Sequence, residues 1–244
     1  MDSGYYAAIA GLVARTQDLD IAASNLANAQ TPGYRAEREY FRSVLLGPDA
    51  ADSQLGQVVN NYGVLGGDQI NLAQGTLELT GNPLDLAIEG DGFFEIRTAQ
   101  GVRYTRNGNF HRTPDGKLTT VSGDAVLSSS GQPIPVPPGD VTVGADGSLS
   151  LDGGVVATVG VFAFPKGTDL KPEGADRYVA PDDAQQVAKN AAVHQGALET
   201  ANQDTITASM NLILIQREAE MMQKALSVFH SEFNKIASED LPRV

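Results

Sequence analysis

Between Leu198 and Ile236, apolar or small residues recur at steps of three and four: Leu198, Ala201, Thr205, Ala208, Leu212, Ile215, Ala219, Met222, Leu226, Phe229, Phe233 and Ile236. Such steps place side chains on one face of an α-helix. At about 1.5 Å per residue, a helix of this span is roughly 58 Å long. A module of about 120 residues is only ~35 Å across. A helix of that length overhangs any single small core, so its apolar stripe needs a partner.

One partner lies at the other end of the chain. Tyr5, Ile9, Leu12, Thr16, Leu19, Ala23 and Leu26 keep the same spacing and predict an N-terminal helix. It is expected to stop near Asn28, which tolerates a left-handed cap, because Thr31-Pro32-Gly33 follows as a turn that redirects the chain at Tyr34. The C-terminal segment carries a second apolar group, Ile206, Met210, Ile213 and Leu214, off its first stripe. One helix cannot cover both faces, which predicts neighbours from other copies of the chain. The alternative is an ordinary α+β protein whose helices fold back on its own sheet.

The expected assembly interface comprises Tyr5, Ile9, Leu12, Leu19, Asn25, Leu26 and Asn28, with Ile206, Met210, Leu212, Ile213, Ile215, Arg217, Met222, Leu226, Phe229 and Phe233. Asn25 and Asn28 read equally as a polar interruption with a cap or as register control, since a buried amide penalises slipped pairings. Arg217 either snorkels to solvent or pairs with a carboxylate across subunits.

Between the helices the pattern changes. Residues 36–74 read as an extended connector, with a short polar helical stretch from Phe41 to Leu46. Residues 75–193 alternate short apolar runs with glycine turns, predicting an all-β sandwich or barrel-like module. Asp115-Gly116 and Asp146-Gly147 mark hairpins, Gly90-Asp91-Gly92 a strand turn, and Val155 to Phe164 one long strand. The expected fold class is α+β: long N- and C-terminal helices (1–35 and 194–244) pairing as a coiled-coil-like stalk beside a central mainly-β module.

Composition narrows the function. With 17 basic and 30 acidic residues the net charge is -13, which repels nucleic acid and anionic lipid headgroups. There is no cysteine, so thiolate chemistry and disulfides are excluded. The start lacks a basic segment followed by a long apolar run, and no window approaches a membrane span, so neither an ordinary cleaved signal nor membrane insertion is expected. His111, His194 and His230 show no metal-ligand spacing, and Asp85, Glu89, Asp91 and Glu95 lack a partner motif and read as solvated strand positions. No cofactor, metal, nucleic-acid or small-molecule partner is expected, and no enzymatic activity. The rival readings are a secreted adhesive or carbohydrate-binding β protein with a helical stalk, and a hydrolase using those carboxylates.

Three blocks of sequence carry a resemblance. The first is Ala23-Ser24-Asn25-Leu26-Ala27-Asn28-Ala29-Gln30 with the turn motif Thr31, Pro32, Gly33 and Tyr34. The second is Gly81-Asn82-Pro83-Leu84-Asp85-Leu86-Ala87-Ile88-Glu89-Gly90-Asp91-Gly92-Phe93-Phe94 with Tyr104-Thr105-Arg106-Asn107-Gly108-Asn109-Phe110. The third is Gln195-Gly196-Ala197-Leu198-Glu199 with Gln216-Arg217. In order and spacing they resemble the bacterial flagellar rod and hook proteins, and the length with a single β module looks like the rod members. Thr200-Ala201-Asn202 departs from the Ser-Asn-Val common there, and Arg217-Glu218-Ala219-Glu220 lacks an aromatic. The resemblance implies a subunit exported unfolded by the flagellar type III apparatus, partnered by itself and other rod subunits, and polymerised into the periplasmic rod of the basal body that transmits torque.

Overall fold

The computed structural model describes residues 2–42, 64–165, 167–174, 176–181, 184–188 and 190–239. Side chains are described except at 2–10, 39–42, 64–68, 225, 229, 230 and 232–239, so those of Tyr5, Ile9, Phe229 and Phe233 lie outside this description. The chain divides into two compact units. One spans Met1–Leu26, Glu37–Asp68 and Thr205–Val244; the other spans Ala27–Ala36 and Gln69–Asp204.

The first unit carries helix α1 (Asp2–Ala27) and helix α2 (Thr205–Glu239). Arg15 bonds Asp18 one turn on at 2.8 Å and reaches Glu218 of α2 at 3.3 Å. Gly11 faces Met222, whose Cε would lie in ordinary van der Waals contact, 3.5 Å, with a Cβ placed there.

The expected fold class does not hold. The described residues form a mainly β structure, with eighteen strands against two helices, and the helices form no coiled-coil-like stalk. A coiled-coil seam is sealed by large side chains. Among the described helix side chains the buried ones are small or polar: Ala22, Asn25, Ala208 and Ala219. Leu12, Leu19 and Leu26 on α1, and Leu212, Ile215, Met222 and Leu226 on α2, are only half-buried. The C-terminal helix is also shorter than the periodicity suggested. Leu198 belongs to the strand Ala197–Glu199, and the helix starts only at Thr205. Gly196, at φ +72°, turns the chain into that strand, and Glu199 is buried beneath two arginines.

The second unit is antiparallel β. Its nine-stranded sheet is centred on the hairpin Phe93–Thr98 and Gly101–Thr105, which bonds Arg177–Val179 on one side and Ala125–Val126 and Val161–Ala163 on the other. A three-stranded sheet (Val141–Val143, Ser148–Leu151, Gly154–Thr158) and two ribbons complete it: Leu86–Glu89 with Ala192–Gln195, and Leu77–Leu79 with Ala197–Glu199. Hairpins turn at Gly116 and Gly147, both with positive φ. The stretch Val155 to Phe164 is two strands in different sheets, not one. It breaks at Gly160, where a Cβ would come within 3.1 Å of the Leu127 and Ser128 carbonyls. The expected helical stretch at Phe41 is also corrected, since Phe41 lies in the strand Glu37–Arg42; positions 43–46 fall outside the described residues.

Two cores fill this unit. The larger gathers Leu86, Ile88, Phe94, Ile96, Phe110 and Leu118 with residues of the three-stranded sheet, and Phe94 meets Phe110 edge-on at 5.1 Å. The smaller is aromatic: Phe93, Tyr104 and Tyr178, flanked by Phe162 and Phe164. Gly108 spaces the strands, because a Cβ there would fall 1.6 Å from the Leu86 carbonyl oxygen.

Candidate functional site

The chain leaves α1 at Ala27 without a left-handed cap. Among the described non-glycine residues only Asp152 has positive φ, so Asn28 caps differently from expectation. Its carbonyl accepts from the Thr31 amide at 2.9 Å, and Tyr34 N donates to the Thr31 carbonyl at 3.2 Å. Gly33 then passes tight against the β unit at φ +70°. A Cβ there would lie 2.3 Å from the Arg106 carbonyl carbon, so only glycine fits. Its amide donates to the Glu199 carbonyl at 2.7 Å.

Immediately beyond, Tyr34, Arg35 and Ala36 are buried. The Arg35 amide donates to the Tyr178 hydroxyl at 3.1 Å, and its guanidinium, 1% exposed, sits over Glu199. Arg35 Nη1 lies 2.6 Å from Glu199 Oε1, a charge contact off the line of a hydrogen bond. Arg106 Nη1 approaches the other oxygen, Oε2, at 3.1 Å. Gly75 N donates to Oε1 at 2.7 Å. Arg106 also donates to the carbonyls of Ile88 (3.1 Å) and Gly90 (2.6 Å) and stacks over the Phe93 ring at 5.3 Å. Burial pushes the Arg106 guanidinium down to about 10; Glu199 pulls it back up and Arg35 pushes it down again. It remains charged at neutral pH.

Next to this triad, Asn202 closes the knot. Its Oδ1 accepts from Ala36 N at 2.8 Å, its Nδ2 donates to the Asn71 and Ala73 carbonyls at 2.7 and 2.9 Å, and its amide donates to the Tyr34 carbonyl at 3.2 Å. One side chain thus ties three segments far apart in sequence. In the first unit Asn25, 6% exposed, does the same for Glu37: its Nδ2 donates to the Glu37 carbonyl at 2.8 Å and its Oδ1 accepts from Glu37 N at 2.9 Å.

Of the residues expected from sequence, Thr31, Pro32, Gly33 and Tyr34 join this site, and Asn25 pins the chain just beyond it. Ile206, Met210, Ile213 and Arg217 are exposed on α2 and belong to the first unit. The carboxylates do not read as solvated strand positions throughout. Asp85 is buried and accepts from Thr80 Oγ1 and Asn82 Nδ2, and Glu95 is buried too, because the first caps a turn and the second faces inward on a central strand. Glu89 stays exposed and meets His194 at 2.6 Å. Arg35, Arg106, Glu199 and Asn202 were not singled out, although Arg106 and Glu199 lie within the resembling blocks. Charged residues inside such blocks were the available signal.

The polar contacts described here hold chain segments together, the work of a structural protein. Family models bear on this: residues 6–35 match the model described as flagella basal body rod protein, and residues 87–151 the flagellar hook protein FlgE/F/G D1 domain. The flagellar basal-body rod protein FlgF of Caulobacter vibrioides is 33% identical over 247 residues, covering 100% of both chains. FlgF of Escherichia coli is 32% identical, covering 93% of this chain and 94% of its own. The rod protein FlgG of Bacillus subtilis is 30% identical, covering 91% and 93%. The chain belongs to the flagellar basal-body rod protein family, structural subunits of the bacterial flagellum.

Proposed function

We propose that this chain polymerises helically with copies of itself and other rod subunits, through its terminal helices, as the torque-transmitting rod of the periplasm. The observation that carries the proposal is the outer face of α2. Ile206, Met210, Ile213, Leu214, Met221 and Val228 are 51–70% exposed. On a helix of 3.6 residues per turn they fall within an arc of about 100°, opposite the face of Ala208 and Ala219, with Arg217 near its middle. Burying each such side chain is worth about 1.5–3 kcal/mol, so a stripe of this kind left in water favours association. Among the described helices none is long and apolar enough to cross a membrane, so the stripe is not a span. Delivery would be through the flagellar export apparatus. The likeness to FlgF, 33% identical over the whole of both chains in Caulobacter vibrioides, favours the proximal rod, with the distal rod as the close alternative.

The test is Met210→Glu combined with Ile213→Glu. Both positions are exposed, so the isolated protein should melt within about 2 °C of wild type while incorporation into basal bodies, followed with a tagged copy by electron microscopy, is lost. Normal incorporation and motility of the double variant would reject the α2 interface.

A further inference from the structure

The triad joins parts of the chain that have no sequence proximity. Residues 28–36 form a strap over the β unit, and residues 197–202 form an arm that pairs with Leu77–Leu79. The strap bonds the rest of its unit at Glu199, Asn202, Asn71 and Tyr178.

The two arginines depend on Glu199 unequally. Arg106 keeps the Ile88 and Gly90 carbonyls whether or not the arm is in place. Arg35 has no such reserve. Its Nε and Nη2 are buried without an acceptor among the described residues, and Glu199 is its one described counter-charge. Burying a guanidinium without a counter-charge is strongly unfavourable. The strap therefore cannot close over a unit whose arm is out of place.

We propose that the Arg35–Glu199–Arg106 triad is a latch that makes docking of the strap conditional on docking of the arm. Arg106 receives Glu199 first, and the seated carboxylate then admits Arg35. By thermodynamic reciprocity a closed strap strengthens the arm by the same factor. The strap follows α1 in the chain and the arm precedes α2, so the latch couples the two segments through which the chain enters and leaves the β unit. This inference does not depend on the polymerisation reading.

Hydrogen exchange read by mass spectrometry on the full chain tests it, with each perturbation on one segment and the readout on the other. Glu199→Gln removes the counter-charge and should speed exchange of amides 33–36 by about tenfold or more, leaving 93–98 and 101–105 within about twofold. Gly33→Ala forces the strap away through its contact with the Arg106 carbonyl and should speed exchange at 197–202 by a comparable factor. Loosening confined to the altered segment in either variant overturns the latch. A third measurement needs no variant: in wild type under increasing urea, amides 33–36 and 197–202 should share one opening isotherm. Separate isotherms refute the coupling even if a variant fails to fold.

Discussion

Replacing Asn202 by alanine removes an acceptor for Ala36 N and a donor to the Asn71 and Ala73 carbonyls, three bonds of 2.7–2.9 Å. A net hydrogen bond contributes about 0.5–1.5 kcal/mol, and a buried group left unpaired costs more. The Ala73 bond is open to solvent, so water replaces much of it, whereas those to Ala36 and Asn71 are partly buried. The expected loss is about 2–3 kcal/mol. At roughly 2–4 °C per kcal/mol for a unit of this size, calorimetry should show the β-unit transition fall by about 4–12 °C. Exchange at the Ala36 amide should accelerate with it. Asn202→Asp is the sharper variant. It keeps the acceptor but turns a carboxylate oxygen toward two carbonyls, so its deficit at neutral pH should match or exceed that of alanine. Facing carbonyls raises the folded-state pKa of that carboxyl, so protonation restores the donor and stability returns as pH falls. A loss under about 0.5 kcal/mol, or an Ala36 amide that stays protected in Asn202→Ala, would refute the clasp.

Phe94 is fully buried and packs edge-on against Phe110, so Phe94→Ala should cost about 3–5 kcal/mol in urea denaturation, and a cost below about 2 would place Phe94 outside the core. Burial raises the Glu95 carboxyl above its ordinary value, against a smaller opposing pull from Arg97. A raised folded-state pKa favours the protonated form, so Glu95 contributes stability at acid pH that is lost as pH rises through the folded value. Glu95→Gln should thus melt higher than wild type at pH 7–9 and equal to it near pH 3.5, and a deficit at neutral pH would reverse the assignment. Tyr104, paired across from Glu95, is pushed up to about 12 by burial and then by that carboxylate. Its ionisation should register in absorbance well above the usual phenol range, and Glu95→Gln should bring it down.

Local chemistry was readable from the chain alone wherever neighbours in sequence set the structure. Positive-φ glycines at Gly116 and Gly147 made hairpins where Asp-Gly pairs predicted them, because turn geometry is a matter of a few dihedral angles. Helical periodicity located α1 and α2, since it depends only on spacing. The same periodicity overran the start of α2. Nothing in the apolar pattern distinguishes Leu198 in a strand from Leu198 in a helix; pairing with Leu77–Leu79 decided it. It also suggested a coiled-coil seam, but spacing cannot say how deeply a face is buried, and the buried positions among the described side chains proved to be three alanines and an asparagine. The turn motif ending at Tyr34 was visible as a motif, yet its physical demand, a glycine lying against the Arg106 carbonyl, is a contact across more than seventy residues. Arg35, Arg106, Glu199 and Asn202 are unremarkable polar residues when read singly. The three charged ones form a latch only after the sheet has carried Arg106 and Glu199 to the same buried spot, because the energy of a buried charge depends on what surrounds it, and only the tertiary structure supplies those surroundings.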